Sequence, residues 1–333
     1  MSDEIDQGRR RFLTAAAATI AGARVGVEPA MALTGAGGDE LTSLRTATAW
    51  LNSPPLTAPG LRGKVVLVSF WTYTCINWLR TQPYLRAWAD TYRDRGLVVI
   101  GVHSPEFGFE KDVDRVRQAA QALQVSYPIA VDSEHAIWTA FENQYWPALY
   151  FIDTKGTVRH HHFGEGDYDR SERTIQRLLG AGGELVRVTG TGREAPADWD
   201  SLESPESYLG AGRRDNAPAG RLNHWTLSGD WAVEREAVVL RSPVGTIGDR
   251  FHARDLHLVM GPGTTRAPIR FRVRLDGQAP GAAHSVDTDA EGNGQVTEPR
   301  LYQLIRQSAP IAGRSFEIEF LDPGAEAFAF TFG

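Results

Sequence analysis

Cys75 is the only cysteine among the 333 residues, and it follows the apolar run "KVVLVSFW" at the start of a predicted helix. A cysteine in this position usually belongs to a Cys-x-x-Cys pair, but the partner position here is Trp78. The free N–H groups and the dipole of a helix N-terminus stabilise anions, and a thiolate is the nucleophile of disulfide exchange. The sequence therefore places half of a dithiol where a thiolate is favoured.

Four other residues are expected to shape this site rather than react. Thr74 and Asn77 place polar, uncharged groups beside the thiol. Trp146 and Pro147 come just before an apolar strand far along the chain, and the sequence does not determine whether the bond between them is cis or trans.

Alternating strands and helices must position these residues. Over 61–182, apolar strands alternate with helical segments, which predicts an α/β domain with a partly parallel sheet. The turn-rich stretch 183–220 is predicted to be a linker. Over 221–333, short alternating strands are separated by Gly, Pro and Asp, which predicts an all-β sandwich of jelly-roll type.

The N-terminal 32 residues have the features of a twin-arginine export signal. Arg9–Leu13 fits the pattern Arg-Arg-x-Phe-Leu, an Ala-rich apolar stretch follows, and Ala30–Ala32 offers small residues for cleavage. A basic amphipathic helix is the alternative. We expect an extracytoplasmic protein, in the periplasm or cell envelope or secreted. Residues 33–60, rich in Gly, Pro, Thr and Ser, are predicted to be a linker.

Composition argues against several kinds of binding partner and against an internal disulfide. The net charge of −6 gives no general reason to expect binding to nucleic acid or to an anionic membrane. The sequence has no run of about 20 apolar residues that could form a membrane helix, so no membrane span is expected in the mature chain. A single cysteine cannot form an internal disulfide.

Several stretches resemble the thioredoxin superfamily, and more closely its TlpA/DipZ-like redoxins of bacterial envelopes. They are "FWTYTCINWLRTQPYLRAW", "GLVVIGVHSPEFGFEKD", "AIWTAFENQYWPALYFID" and "HHHFGEGDYDRSE", in the order of the family. Later stretches, including "FHARDLHLVMGP" and "FEIEFLDPGAEAFAFTFG", resemble the extracytoplasmic tail of DipZ-type proteins, which is a carbohydrate-binding-module-like β-sandwich. The family's membrane-spanning part has no counterpart here.

The resemblance implies a thiol–disulfide oxidoreductase. It implies that Cys75 is the nucleophile, that Pro147 is the cis-proline facing it, and that Trp71 is the aromatic residue leading into the loop. Trp78 departs from the pattern, because the family has its resolving cysteine there. In such redoxins an acidic residue near the cysteine assists proton transfer, and Glu106 is a candidate for this role; a solvated loop glutamate is the favoured interpretation.

Three interpretations of Cys75 follow: a monothiol resolved by an external thiol, a binding module that has lost redox cycling, or a small buried apolar residue. We predict the first. The expected partners are extracytoplasmic thiol or disulfide proteins and low-molecular-weight thiols, with a glycan or cell-wall ligand for the C-terminal domain. No cofactor is predicted. No metal site is predicted either, because His160 and His162 lack a ligand set of recognisable spacing.

Overall fold

The computed structural model describes residues 39–213, 222–265 and 267–333, so the predicted export signal lies outside the described residues. These residues form two compact units. The first comprises the described residues up to Val188 without Phe107–Phe109, and the second comprises Phe107–Phe109 and Thr189–Gly333. The domain and linker boundaries given by the sequence stay predictions.

Among the described residues, the first unit contains five α-helices and six strands, and the strands form one sheet. The helices are α1 (Asp39–Thr42), α2 (Ile76–Tyr92), α3 (Val113–Ala122), α4 (Ala136–Ala140) and α5 (Tyr168–Leu178). The strands are β1 (Ala49–Leu51), β2 (Val65–Trp71), β3 (Leu97–His103), β4 (Ile129–Val131), β5 (Ala148–Ile152) and β6 (Val158–Phe163). The alternation of strands and helices agrees with the predicted α/β layer.

The sheet has the strand order β1-β4-β3-β2-β5-β6. Strands β2, β3 and β4 run parallel, and the remaining neighbours are antiparallel. All seven residues of β2 are buried, as its unbroken apolar run predicts for a strand covered on both faces. Register places Trp71 beside His103 where β2 and β3 end, and the loop that carries Cys75 leaves the sheet at this edge.

The sheet includes one strand from a segment that the sequence presents as a linker. Within 33–60, Ala49–Leu51 forms β1 and pairs antiparallel with β4 at the sheet edge. The N–H of Thr48 donates to the carbonyl of Val131 at 2.8 Å and extends this pairing. The sequence allows a short element in "LTSLRTATAWLNSPPL", but three residues are too few to show a period of two and so to identify it as a strand.

Helix α2, which positions Cys75, is bound to α5 by a buried carboxylate. The indole N–H of Trp88 and the hydroxyl of Tyr92 donate to Glu172 at 3.0 and 2.6 Å. The main-chain N–H of Val186 donates to the same carboxylate at 3.0 and 3.1 Å. Because a buried charge is tolerated only when it is hydrogen-bonded, these four contacts hold both helices and the following segment in one arrangement.

Among the described residues, the second unit contains eleven strands and has no α-helix. They are β7 (Ser207–Tyr208), β8 (His224–Ser228), β9 (Trp231–Val233), β10 (Val238–Leu240), β11 (Gly245–Phe251), β12 (Asp255–Gly261), β13 (Ile269–Leu275), β14 (Asn293–Val296), β15 (Arg300–Arg306), β16 (Arg314–Phe320) and β17 (Glu326–Phe332). One sheet has the order β15-β12-β17-β10-β9 with β7 beside β17, and the other has the order β14-β13-β16-β11-β8.

Both sheets of the second unit are antiparallel and share one apolar core. Ile247 and Phe316 from one sheet and Leu258 and Phe330 from the other belong to this core. The predicted fold class, an α/β thioredoxin-like domain followed by an all-β sandwich, is confirmed. In the described part of the chain, no helix is long and apolar enough to cross a membrane.

Candidate functional site

Cys75 is the N-cap residue of α2. Its backbone is extended, with φ −81° and ψ 110°, and its carbonyl oxygen accepts the first helical hydrogen bond from the N–H of Leu79 at 3.0 Å. The thiol donates to the carbonyl oxygen of Trp146, with Sγ and O 3.6 Å apart. The structure therefore places the sulfur at the helix start and beside the Trp146–Pro147 bond.

Cys75 is half-buried in a stretch that is otherwise mostly buried. Between Trp71 and Arg80, only Cys75 and Asn77 are half-buried, and every other residue is buried. Asn77 lies in the first turn of α2, where its carbonyl oxygen accepts from the hydroxyl of Thr81 at 2.9 Å. A half-buried cysteine at a helix N-terminus has the two features of a nucleophilic cysteine, access and a favourable field.

The Trp146–Pro147 bond is cis. The indole N–H of Trp146 donates to the carbonyl of Ser104 at 3.0 Å, and its ring packs on Trp138 with centroids 4.3 Å apart. Trp146 and Pro147 are both buried. These contacts hold the carbonyl group of Trp146 opposite the thiol, so the structure places Cys75 beside the Trp146–Pro147 bond.

Trp78 is a core residue. Its side chain is fully buried and stacks on Trp71, with ring centroids 4.2 Å apart and planes inclined by 23°. Trp71 is also fully buried. A Cβ atom on Gly101 of β3 would lie 2.9 Å from Nε1 of Trp71, so only glycine leaves room for this stack. The position of a resolving cysteine is therefore occupied by a packed indole.

His103 packs on two aromatic side chains near residues 72–75, the segment between β2 and α2 that we call the thiol loop. Sequence reasoning missed it. Its ring meets Trp71 edge-on at 4.9 Å and stacks on Tyr73 at 5.6 Å. The side chain is fully buried, and neither ring nitrogen has a hydrogen-bond partner among the described residues. Burial lowers the pKa of His103 to about 3, so the imidazole is neutral and contributes no charge at neutral pH.

The buried carboxylate near the thiol loop belongs to Glu110. Its Oε1 accepts from the hydroxyls of Thr72 and Thr74, the latter at 2.7 Å, and its Oε2 accepts from the N–H of Glu106 at 2.6 Å. Glu106, the glutamate singled out by the sequence, is half-buried and supplies this main-chain donor. Glu110 thereby holds Thr74, the residue before Cys75, in a single conformation.

We expect Glu110→Ala to destabilise the protein by about 3 kcal/mol, because it leaves three donors without their acceptor. Glu110→Gln should cost less, since its amide oxygen still accepts from the threonine hydroxyls. Urea denaturation measures both changes. Glu184→Ala, at an exposed glutamate of the same unit, is the matched control. A loss no larger than that of the control would contradict the role given to Glu110.

The histidines of β6 form no metal centre. Among the described residues, no group of three or more His, Cys, Asp or Glu side chains is arranged to hold a metal ion. His161 is exposed, and His160 and His162 are half-buried. Glu165 instead accepts from the buried guanidinium of Arg80 at 3.0 Å.

Two family models match the chain. The model described as AhpC/TSA family matches residues 52–161, and the model described as thioredoxin like C-terminal domain matches residues 204–333. The first match contains Cys75 and Pro147, and the second covers nearly all of the β-sandwich.

The chain is also similar to individual proteins. Protein DipZ of Mycobacterium tuberculosis is 38% identical over 248 residues, which are 68% of this chain and 36% of DipZ. The chain thus spans about a third of the length of that relative. The thiol–disulfide oxidoreductase YkuV of Bacillus subtilis is 33% identical over 131 residues, which are 39% of this chain and 88% of YkuV. A solution structure of a thioredoxin-like protein in the oxidized form is 34% identical, with TM-score 0.37 over 40% of this chain and 89% of that one.

Proposed function

We propose that this protein exchanges disulfides as a monothiol through Cys75. The chain belongs to the thioredoxin superfamily, with the DipZ- and YkuV-like thiol–disulfide oxidoreductases. The observation that carries the proposal is the position of the half-buried residue Cys75 at the start of α2, with its sulfur beside the carbonyl group of Trp146. The buried indole of Trp78 stands where the family has its second thiol. An external thiol therefore replaces the resolving cysteine.

The reaction has two balanced steps. The thiolate of Cys75 attacks one sulfur of a substrate disulfide, forms a mixed disulfide and releases the other substrate sulfur as a thiolate. A thiolate from a second molecule then attacks the mixed disulfide, forms a new disulfide with the substrate sulfur and returns Cys75 as a thiolate. No electrons are gained or lost overall, so neither step needs a cofactor. The N-terminal field of α2 stabilises the anion that leaves in the second step.

The position of the carbonyl group of Trp146 supports a substrate-binding role for Trp146 and Pro147. An extended substrate segment pairs with a protein through main-chain hydrogen bonds, and a carbonyl oxygen beside the nucleophile is an acceptor for such a bond. The cis-proline segment would then orient the substrate disulfide, and Cys75 would supply the attacking sulfur.

We also propose that the protein works outside the cytoplasm, after export by the twin-arginine signal predicted in residues 1–32. Its partners would be extracytoplasmic thiol or disulfide proteins, or low-molecular-weight thiols. For the second unit we propose a glycan or cell-wall ligand. The indole of Trp199, with 55% of its surface exposed, supports this, because exposed tryptophans offer a flat apolar face to sugars.

The mixed disulfide is the direct test of the monothiol proposal. Incubation of the folded, reduced protein with oxidised glutathione should add one glutathionyl group, seen by intact-protein mass spectrometry. Added dithiothreitol should remove it, and Cys75→Ser should acquire none. An adduct that forms only after denaturation would refute the exchange reaction and would support the alternative, a redox-inactive thioredoxin-fold module that binds an envelope protein or a glycan.

A further inference from the structure

A groove lined by basic side chains lies between the edge strand β6 and helix α5, and its nine lining residues do not include Cys75. Arg159 and His160 come from β6, while Arg170, Arg173 and Arg177 come from α5. The three arginines of α5 are spaced i, i+3 and i+7, which places them on one face of the helix. The cavity has a volume of about 840 Å³. We call it the basic groove.

Few carboxylates neutralise this charge. None of the residues that line the basic groove is acidic. Arg159 pairs with Asp153 at 2.6 Å, and Arg177 donates to the hydroxyl of Thr174 at 2.8 Å. In the described part of the chain, Arg170 and Arg173 form no ion pair. The whole chain has a net charge of −6, so the cluster is not a result of a generally basic composition.

The two acidic residues of α5, Asp169 and Glu172, are not among the residues that line the basic groove. Glu172 is buried against α2, where it accepts from Trp88 and Tyr92. Asp169 lies near Tyr84 of α2, and its charge, after burial, raises the pKa of Tyr84. On the groove side, burial and then the charge of Arg170 lower the pKa of His160.

Such an arrangement suits an oxyanion. The four arginines are exposed, so water and salt screen their mutual repulsion, and an oxyanion among them would form paired N–H···O bonds. The planar fork of arginine matches the oxygens of a phosphoryl group. The cavity falls within the usual size range of small-molecule sites, about 300–1,000 Å³, and exceeds the needs of one phosphate ion.

We propose that the basic groove binds a small anion with two or more adjacent phosphoryl groups. Arg170, Arg173 and Arg177 contact the phosphoryl oxygens from the helix, and Arg159 contacts them from the strand. His160 supplies a hydrogen bond from its half-buried ring. Free polyphosphates and nucleoside diphosphates share this chemistry, and the site as built does not depend on the reactivity of Cys75.

Isothermal titration of the full chain with sodium tripolyphosphate at low ionic strength tests the proposal. Tripolyphosphate should bind at least about tenfold more tightly than orthophosphate, and the affinity should fall with added salt. Arg173→Gln and Arg177→Gln should each weaken binding about tenfold. Arg62→Gln, at an exposed arginine of the same unit outside the basic groove, should leave it unchanged.

A comparison of pyrophosphate with adenosine diphosphate distinguishes an inorganic ligand from a nucleotide. Tighter binding of pyrophosphate supports an inorganic ligand, and tighter binding of adenosine diphosphate supports a nucleotide. Citrate, a multivalent anion without phosphoryl groups, should bind at least tenfold more weakly than tripolyphosphate. Equal binding of citrate and tripolyphosphate, equal weakening by all three arginine variants, or no binding at millimolar concentration would each overturn the proposal.

Discussion

Trp78→Cys should convert the protein from a monothiol to a dithiol oxidoreductase that reduces the disulfides of insulin. In the wild type, the mixed disulfide at Cys75 waits for an external thiol. A thiol one helical turn away acts within the same molecule, and a well-oriented internal partner has an effective molarity of about 10⁵ M or more. We therefore expect the mixed disulfide to be resolved at least about a hundredfold faster. Insulin turbidity in the presence of dithiothreitol measures the activity.

Two variants separate the gain caused by the new thiol from the effect of removing the indole. Trp78→Ala removes the same indole without adding a thiol, and the double variant Cys75→Ser with Trp78→Cys keeps the new thiol without the nucleophile. Neither should reduce insulin faster than the wild type. If Trp78→Cys folds, as judged by circular dichroism, and still matches Trp78→Ala in rate, the site geometry proposed for Cys75 and position 78 is wrong.

Trp78→Ala should itself reduce the free energy of unfolding by about 3–5 kcal/mol, the usual loss when a buried aromatic side chain is removed. The indole is fully buried and stacked on Trp71, so its removal leaves a cavity below the thiol loop. The contacts that surround this stack are close, as the approach of Trp71 to Gly101 shows. Chemical denaturation followed by circular dichroism measures the change.

Trp199→Ala is the matched control, because it removes the same side chain where 55% of it is exposed. Its effect should be at most about half that of Trp78→Ala, because more than half of its surface is already exposed in the folded protein. If the two variants lose equal stability, Trp78 is not a core residue, and the explanation for the missing second thiol fails.

Much of the fold can be predicted from the sequence because its long elements have clear patterns. The apolar run of β2 and the periodic helices on either side of β3 indicate an α/β layer without further information. The short strands cannot be predicted in this way. Ala49–Leu51 and Ser207–Tyr208 join their sheets only through partners that are distant in the chain, Val131 and Phe330 among them.

The candidate site is only partly predictable for the same reason. The position of Cys75 follows from a local pattern, strand, loop and helix start. The role of Glu110 depends on hydrogen bonds to Thr72 and Thr74, which lie 38 and 36 residues away. The sequence identifies Trp78 as a departure from the family, but its stacking on Trp71, which itself lies close to Gly101 of a neighbouring strand, is visible only in the structure.

The basic groove shows a further limit of sequence reasoning. The spacing of Arg170, Arg173 and Arg177 is visible in the sequence and is compatible with an ordinary solvated helix face. Only the structure shows that Arg159 and His160 of the edge strand face the same cavity.

The central claim is that the sulfur of Cys75 reacts in the folded protein, and the rate of its alkylation by iodoacetamide at neutral pH tests this most directly. The rate is measured for the folded chain and for the same chain unfolded in urea. We predict that the folded protein reacts at least as fast as the unfolded chain, because Cys75 is only half-buried and is the N-cap residue of α2. A thiol that is alkylated only after unfolding would contradict the account.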